Sequence, residues 1–287
     1  MSSTRFPPPI PPLNTSDLLK QYGLHADKRL GQNFLQDPYA LENIVKAAEI
    51  QPTDTVLEIG PGLGSLTRYL AAGAQKVIAI ELDDRLFLPL EAVIAPYQNI
   101  QLVHGDILDI ELQEIIEQQD YLVVANIPYY ITSAVIRHLL EAQPKPRRIV
   151  LTIQREVAER ICAEPDDMSL LALSVQVYGQ PLIAARIPAG AFYPAPKVDS
   201  SVLVVDIYPT PVVDENLLDT FFQLIKAGFS QKRKKLRNSI STGIRQSPTE
   251  TEKLLRAADI DPKRRAETLS LEEWGKLSKQ YSVSGGH

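Results

Sequence analysis

The stretch Thr55-Val56-Leu57-Glu58-Ile59-Gly60-Pro61-Gly62-Leu63-Gly64 reads as a strand that runs into a glycine-rich turn, with a helix following to about Ala72. Glycines there let backbone approach a ligand closely and present helix N-terminal N–H groups. Outward from this unit the alternation continues. Strands are expected at Lys76–Ile80, Ile100–Val103, Leu122–Ala125 and Arg148–Ile153, with helices near Asp83–Ala95 (Pro89 weakening its middle) and Ser133–Glu141. That βαβα order implies a parallel sheet with helices on both faces. Upstream, Asp37-Pro38 opens a helix on which Leu41, Ile44, Val45 and Ala48 keep helical spacing, and Asp17–Gly23 forms a shorter one. Downstream, Leu182–Ile187 and Ser201–Ile207 read as an antiparallel pair at one sheet edge.

The pattern changes after Pro209-Thr210-Pro211. Only helical periodicity follows, over Glu215–Lys226, Lys234–Thr242, Thr249–Ala258 and Leu271–Lys279. The expected division is residues 1–24 as a Pro-rich tail with a short helix, 25–209 as the α/β domain and 210–287 as a small all-helical domain.

Composition removes several classes. No apolar run of 18 residues exists, so no membrane helix is expected. Residues 1–12 lack an apolar core, so they do not read as a secretory signal. One cysteine, Cys162, excludes an internal disulfide and fits a reducing cytoplasm. Four scattered histidines give no metal-ligand spacing. The net charge of −5 disfavours a general nucleic-acid coat but leaves room for a local basic face.

Chemistry gathers at the strand ends. Glu81 lies 21 residues after Gly60, at the end of the next strand, where a carboxylate suits a ribose diol. The spacing is G-x-G-x-G, with Ser65 at the sixth position of a G-x-G-x-x-G match, and no P-loop lysine is present. A turn without a pyrophosphate fingerprint, paired with a ribose acid, fits S-adenosylmethionine. Asp106, after the third strand, can bond the adenine amine of that molecule. The strand Val123-Val124-Ala125 ends in Asn126-Ile127-Pro128-Tyr129-Tyr130. Asn126 offers donors and an acceptor, Pro128 a carbonyl turned by its ring, and Tyr129 a stacking face. The run Lys226–Arg237 holds Lys226, Lys232, Arg233, Lys234, Lys235 and Arg237 without an acid. It suits phosphate contact, and a solvated helix face is the alternative. Lys145, Arg147, Arg148 and Lys197 extend such a patch; Lys263-Arg264-Arg265, Lys28 and Arg29 are further candidates.

Taken together, KRLGQNFL (28–35), EIGPGLGSLT (58–67), Glu81-Leu82-Asp83, His104-Gly105-Asp106, NIPYYIT (126–132), QREVAER (154–160), FYPAPKVDSSV (192–202) and QKRKKLRNSI (231–240) resemble the ribosomal RNA adenine N6,N6-dimethyltransferase family of the KsgA/RsmA type. The resemblance implies a Rossmann-type class I methyltransferase followed by a small helical domain. It implies transfer of methyl groups from S-adenosylmethionine to two adjacent adenines near the 3′ end of small-subunit rRNA, in the cytoplasm, during small-subunit biogenesis. Asn33 and Leu35 join Gly60, Glu81, Asp106 and Asn126 at the cofactor on this basis alone. Phe192 becomes a second aromatic wall opposite Tyr129 on the same basis. The expected partner is rRNA in a 30S precursor, with no metal, no membrane and a monomeric chain. Three alternatives are weighed: an Erm-type enzyme of large-subunit rRNA, a DNA adenine methyltransferase, and a non-catalytic assembly or transcription factor on this fold. Tyr129 and FYPAPKV favour the small-subunit enzyme over the first.

Overall fold

The structure is a computed structural model that describes residues 10–117 and 119–285 of the 287-residue chain. In chain order its first elements are α1 (Thr15–Gln21), β1 (Phe34–Leu35), α2 (Pro38–Ala48), β2 (Thr55–Ile59), α3 (Ser65–Gly73), β3 (Lys76–Glu81), α4 (Phe87–Ile94), β4 (Ile100–His104), β5 (Tyr121–Asn126) and α5 (Thr132–Glu141). Then come β6 (Arg148–Gln154), α6 (Arg155–Ile161), α7 (Leu170–Gln176), β7 (Gly179–Ile187), β8 (Phe192–Tyr193) and β9 (Ser200–Ile207). The remaining helices are α8 (Leu218–Phe229), α9 (Leu236–Gly243), α10 (Pro248–Ala257) and α11 (Leu271–Val283). The chain divides into two compact units, Met1–Ala158 with Leu182–Asp206, and Glu159–Pro181 with Ile207–His287.

A seven-stranded sheet organises the first unit, in the order β4-β3-β2-β5-β6-β9-β7. Strands β4, β3, β2, β5 and β6 run parallel. Strand β9 lies antiparallel to β6, from Arg148↔Asp206 to Gln154↔Ser200, and β7 flanks it at the edge. All five residues of β2 are buried, as expected for a parallel strand covered on both faces. The chain leaves β2 toward β3 on one side and β5 occupies the other, so strand order reverses at β2. Ligands in such sheets bind outside the carboxyl ends at this point. Helix α2 starts where Asp37 caps the Ala40 N–H at 2.7 Å with Pro38 in the first turn, and it buries Leu41, Ile44 and Ala48. These join Leu66, Leu70, Val56, Val124 and Val150 in one core.

One expected helix is split. A short 3₁₀ turn covers Asp84–Leu86, and α4 begins at Phe87. Pro89 therefore sits in the first turn of α4, where a missing N–H costs no intrahelical bond.

The second unit is helical. Its core joins Phe221, Leu224, Leu236, Ile240, Trp274 and Leu277 with Met168, Leu173 and Val177. The segment Glu159–Pro181, which the sequence reading puts in the α/β domain, packs with the helices. Capping boxes start α10 (Ser247 with Glu250) and α11 (Ser270 with Glu273). Gly228 is needed for close packing here, since a Cβ at that position would overlap the Trp274 indole. Among the described residues no helix is long and apolar enough to cross a membrane.

Candidate active site

The carboxyl ends of β2 to β5 converge on a cleft of about 840 Å³, its open mouth included. Gly60, Glu81, Asp106, Asn126, Pro128, Tyr129 and Phe192 line it, with Asn33 from the segment before β1. Leu35 does not reach it. Its side chain is buried in the sheet core, and it lines a smaller cavity alongside Glu58, Ser65 and Asn126. The reason is the two-stranded pairing of β1 with β8, in which Leu35 stands opposite Phe192. Phe192 is likewise a core residue, and the cleft borders it.

Glu81 is buried, and burial pushes its carboxyl above the usual range. Each of its oxygens accepts one backbone N–H at 2.9 Å, Oε2 from Gly62 and Oε1 from Asp83. Lone pairs remain on both oxygens for hydroxyl donors. The turn supplying the Gly62 N–H has φ of +60° there, and a Cβ would lie 3.0 Å from the Phe34 ring. That backbone shape suits glycine. Asp106 accepts the Leu108 N–H at 3.0 Å, which orients its carboxylate at the end of β4.

Asn126 is the last residue of β5. Its Nδ2 donates to the Asn33 carbonyl at 3.1 Å, which leaves Oδ1 as an acceptor. The Pro128 carbonyl accepts the Ile131 N–H at 3.3 Å and retains a second lone pair. The Tyr129 hydroxyl and Ser200 Oγ share a hydrogen bond of 2.8 Å, and burial raises the phenol's pKa. The next residue, Tyr130, is exposed at the mouth.

Sequence reasoning left Ser200, Gln32, Asp83 and Glu58 without roles. Ser200 anchors the Tyr129 ring from β9. Glu58 is fully buried, with Oε2 lacking a hydrogen-bond partner, and burial pushes its carboxyl up to about 8. Ser65 Oγ is also unpartnered and lines the same small cavity. A glutamate inside an otherwise apolar strand is the signal that singles out Glu58.

The basic residues fall into two groups. Lys232, Arg233, Lys234 and Lys235 are exposed, and they occupy the turn between α8 and α9 instead of the start of a helix. The run ends at Lys235, which is the N-cap residue of α9. Arg237 lies on α9 and pairs with Glu252 at 3.1 Å. The α9 N-terminus is met by carbonyls of Arg264 and Pro262, which bring Lys263 beside the basic turn. Arg264 pairs with Glu273. Arg147 and Arg148 do not extend a patch. Arg147 is held by Asp54 at 2.8 Å and Arg148 by Asp206 at 2.6 Å, at the starting end of β6, away from the cleft.

Comparison with known proteins gives concordant results. A profile of the ribosomal RNA adenine dimethylase family matches residues 23–279. A ribosomal RNA small subunit methyltransferase A of Dehalococcoides mccartyi (strain CBDB1) is 47% identical over 267 residues, covering 93% of this chain and 92% of that one. The crystal structure of a dimethyladenosine transferase from Plasmodium falciparum superposes with a TM-score of 0.77 at 28% identity, covering 88% of this chain and 99% of that one. That of the 23S rRNA methyltransferase ErmE gives 0.71 at 27% identity, covering 87% and 100%.

Proposed function

The chain belongs to the ribosomal RNA adenine dimethylase family, and from that premise we propose that it methylates N6 of two adjacent adenines near the 3′ end of 16S rRNA. The products are N6,N6-dimethyladenosines, made on a 30S precursor in the cytoplasm by a monomer that needs no metal. The observation that carries this reading is the convergence of Glu81, Asp106, Asn126, Pro128 and Tyr129 on one cleft.

The residues present fit S-adenosylmethionine. Glu81 keeps free lone pairs for ribose hydroxyls, and Asp106 offers a carboxylate to an adenine amine. Gly60, Asn33, Leu35 and Asn126 complete the set, Leu35 from the smaller cavity. The unpartnered Glu58 Oε2 offers an acceptor to the ammonium of an amino acid, and a cation there would favour the ionised carboxyl that burial alone disfavours. When bound, the molecule supplies an electrophilic sulfonium methyl.

The chain's own work is on the base. An adenine amine is a poor nucleophile because its lone pair is delocalised into the ring. Acceptors that hold its hydrogens favour a tetrahedral nitrogen with a directed lone pair. Asn126 Oδ1 and the second lone pair of the Pro128 carbonyl are such acceptors. Neither has the basicity to take the proton first, so it leaves after transfer, from a cationic nitrogen. N6-methyladenine has a single N–H, so a dimethylating site works with one acceptor engaged in its second turn. Tyr129, held by Ser200, stacks on one face of the base and Phe192 borders the other. Stacking contributes roughly 1–3 kcal/mol, comparable to the cost of extracting a base. Lys232, Arg233, Lys234, Lys235 and Arg237 hold phosphates, with Lys263 beside them.

The test is to incubate the protein and methyl-labelled S-adenosylmethionine with undermethylated small and large ribosomal subunits. The label is then mapped by mass spectrometry. Label at two adjacent adenines of small-subunit rRNA is expected. Label in large-subunit rRNA alone would move the protein to the Erm-type activity.

A further inference from the structure

The loop spanning residues 27–33 lines the cleft through Leu30, Gly31, Gln32 and Asn33, and at Gly31 it packs against Pro128 and Tyr130 on the β5 side. Charged bonds tie it to the turn after β3. Gln32 Nε2 donates to Asp83 Oδ2 at 2.7 Å, while Gln32 Oε1 accepts the Asp27 N–H at 2.8 Å. Arg85 donates to both oxygens of Asp83, at 2.7 and 2.6 Å, and reaches Asp27 at 3.3 Å. The Asp83 side chain is only 4% exposed, so these bonds form away from water, where a hydrogen bond to a carboxylate is strong. The Arg85 guanidinium holds the Asp83 carboxyl below the usual range, so it is ionised at neutral pH. The Asp83 backbone N–H also donates to Glu81 Oε1 at 2.9 Å. One residue thus pins the loop and helps hold the ribose acid.

Dimethylating one base consumes two donor molecules, so spent donor must leave the cleft, past this loop, before the base is finished. We infer that Gln32 and Asp83 form a latch on loop 27–33. Closed, it retains the donor; opened, it releases the spent donor between the two transfers. Both are positioning residues, acting through the loop and Glu81. This inference rests on the dimethyltransferase reading.

The experiment is a chase of radiolabelled S-adenosylhomocysteine from the full-length protein by excess unlabelled compound. Gln32→Ala and Asp83→Ala should each speed release about tenfold, as expected for loss of a hydrogen bond to a charged group. The double variant should be no faster than Asp83→Ala, because both changes break one contact. The KM for the donor should rise by a similar factor while kcat does not fall, whereas general disruption of the site would lower kcat. Arg137→Ala, which breaks an exposed pair on α5, should leave release unchanged. If Asp83→Ala does not fold, the Gln32→Ala rate decides. Release from Gln32→Ala within twofold of wild type, or additive effects in the double variant, would overturn the latch. Failure of the wild-type protein to bind the probe at all would overturn the donor assignment and the latch with it.

Discussion

The donor cleft and the basic turn are built on opposite principles. In the cleft, polar groups are buried or half-buried and held by partners: Glu81 by two backbone N–H groups, Asn126 by the Asn33 carbonyl, Tyr129 by Ser200. In the turn, four successive cations stand in solvent with no helix to order them. The first region is preorganised for one geometry, so a small change there should be steep and specific. The second offers charge to a polyanion, so its loss should be shallow and sensitive to salt.

The largest expected effect lies in the cleft. Glu81→Gln leaves one acceptor oxygen where two N–H groups and a ribose compete. It should weaken S-adenosylhomocysteine binding on the order of 10²–10³-fold by calorimetry, with RNA affinity unchanged. An equal loss of RNA affinity would dissolve the contrast between the regions.

The next effect reads the interior through pH. The unfolded chain loses the Glu58 proton near 4.5, whereas the folded chain keeps it to about 8. Between those values the folded state holds the extra proton, so stability falls as pH rises. Between pH 6 and 8 the loss should be about 2 kcal/mol, read from denaturant midpoints. Glu58→Gln should flatten that decline. An unchanged slope would show that Glu58 is ionised in the fold.

The smallest effects belong to the turn. Replacing any one of Lys232, Arg233, Lys234 or Lys235 by alanine should weaken RNA binding about three- to tenfold. Each should reduce the salt slope by about 0.7–0.9. Donor affinity should not move. A change in specificity between RNA sequences would mean that the turn reads bases.

The same contrast explains what was legible in the sequence. Glu81, Asp106 and Asn126 could be read because parallel strands deliver their ends to one edge, so the position in each strand already placed the residue. The partners that hold them could not. Gln32 meets Asp83 across 51 residues and Tyr129 meets Ser200 across 71, through contacts that no local pattern encodes. Leu35 was read from resemblance, and its side chain turns inward because β1 pairs with β8. In the helical unit, charge was legible and backbone shape was not. Helical periodicity puts the start of that helix at Lys234, two residues before α9 begins at Leu236. The segment Glu159–Pro181 precedes the Pro209-Thr210-Pro211 punctuation that marks the expected boundary, yet it packs into the helical core through contacts distant in sequence.

The central claim is that Asn126 poses the adenine amine while other groups hold the RNA. Asn126→Ala, assayed against undermethylated small subunits, tests it directly. Formation of N6,N6-dimethyladenosine should fall on the order of 10²–10³-fold, while the RNA dissociation constant stays within about twofold of wild type. Retained methylation, or a loss of RNA affinity as large as the loss of rate, would contradict the account.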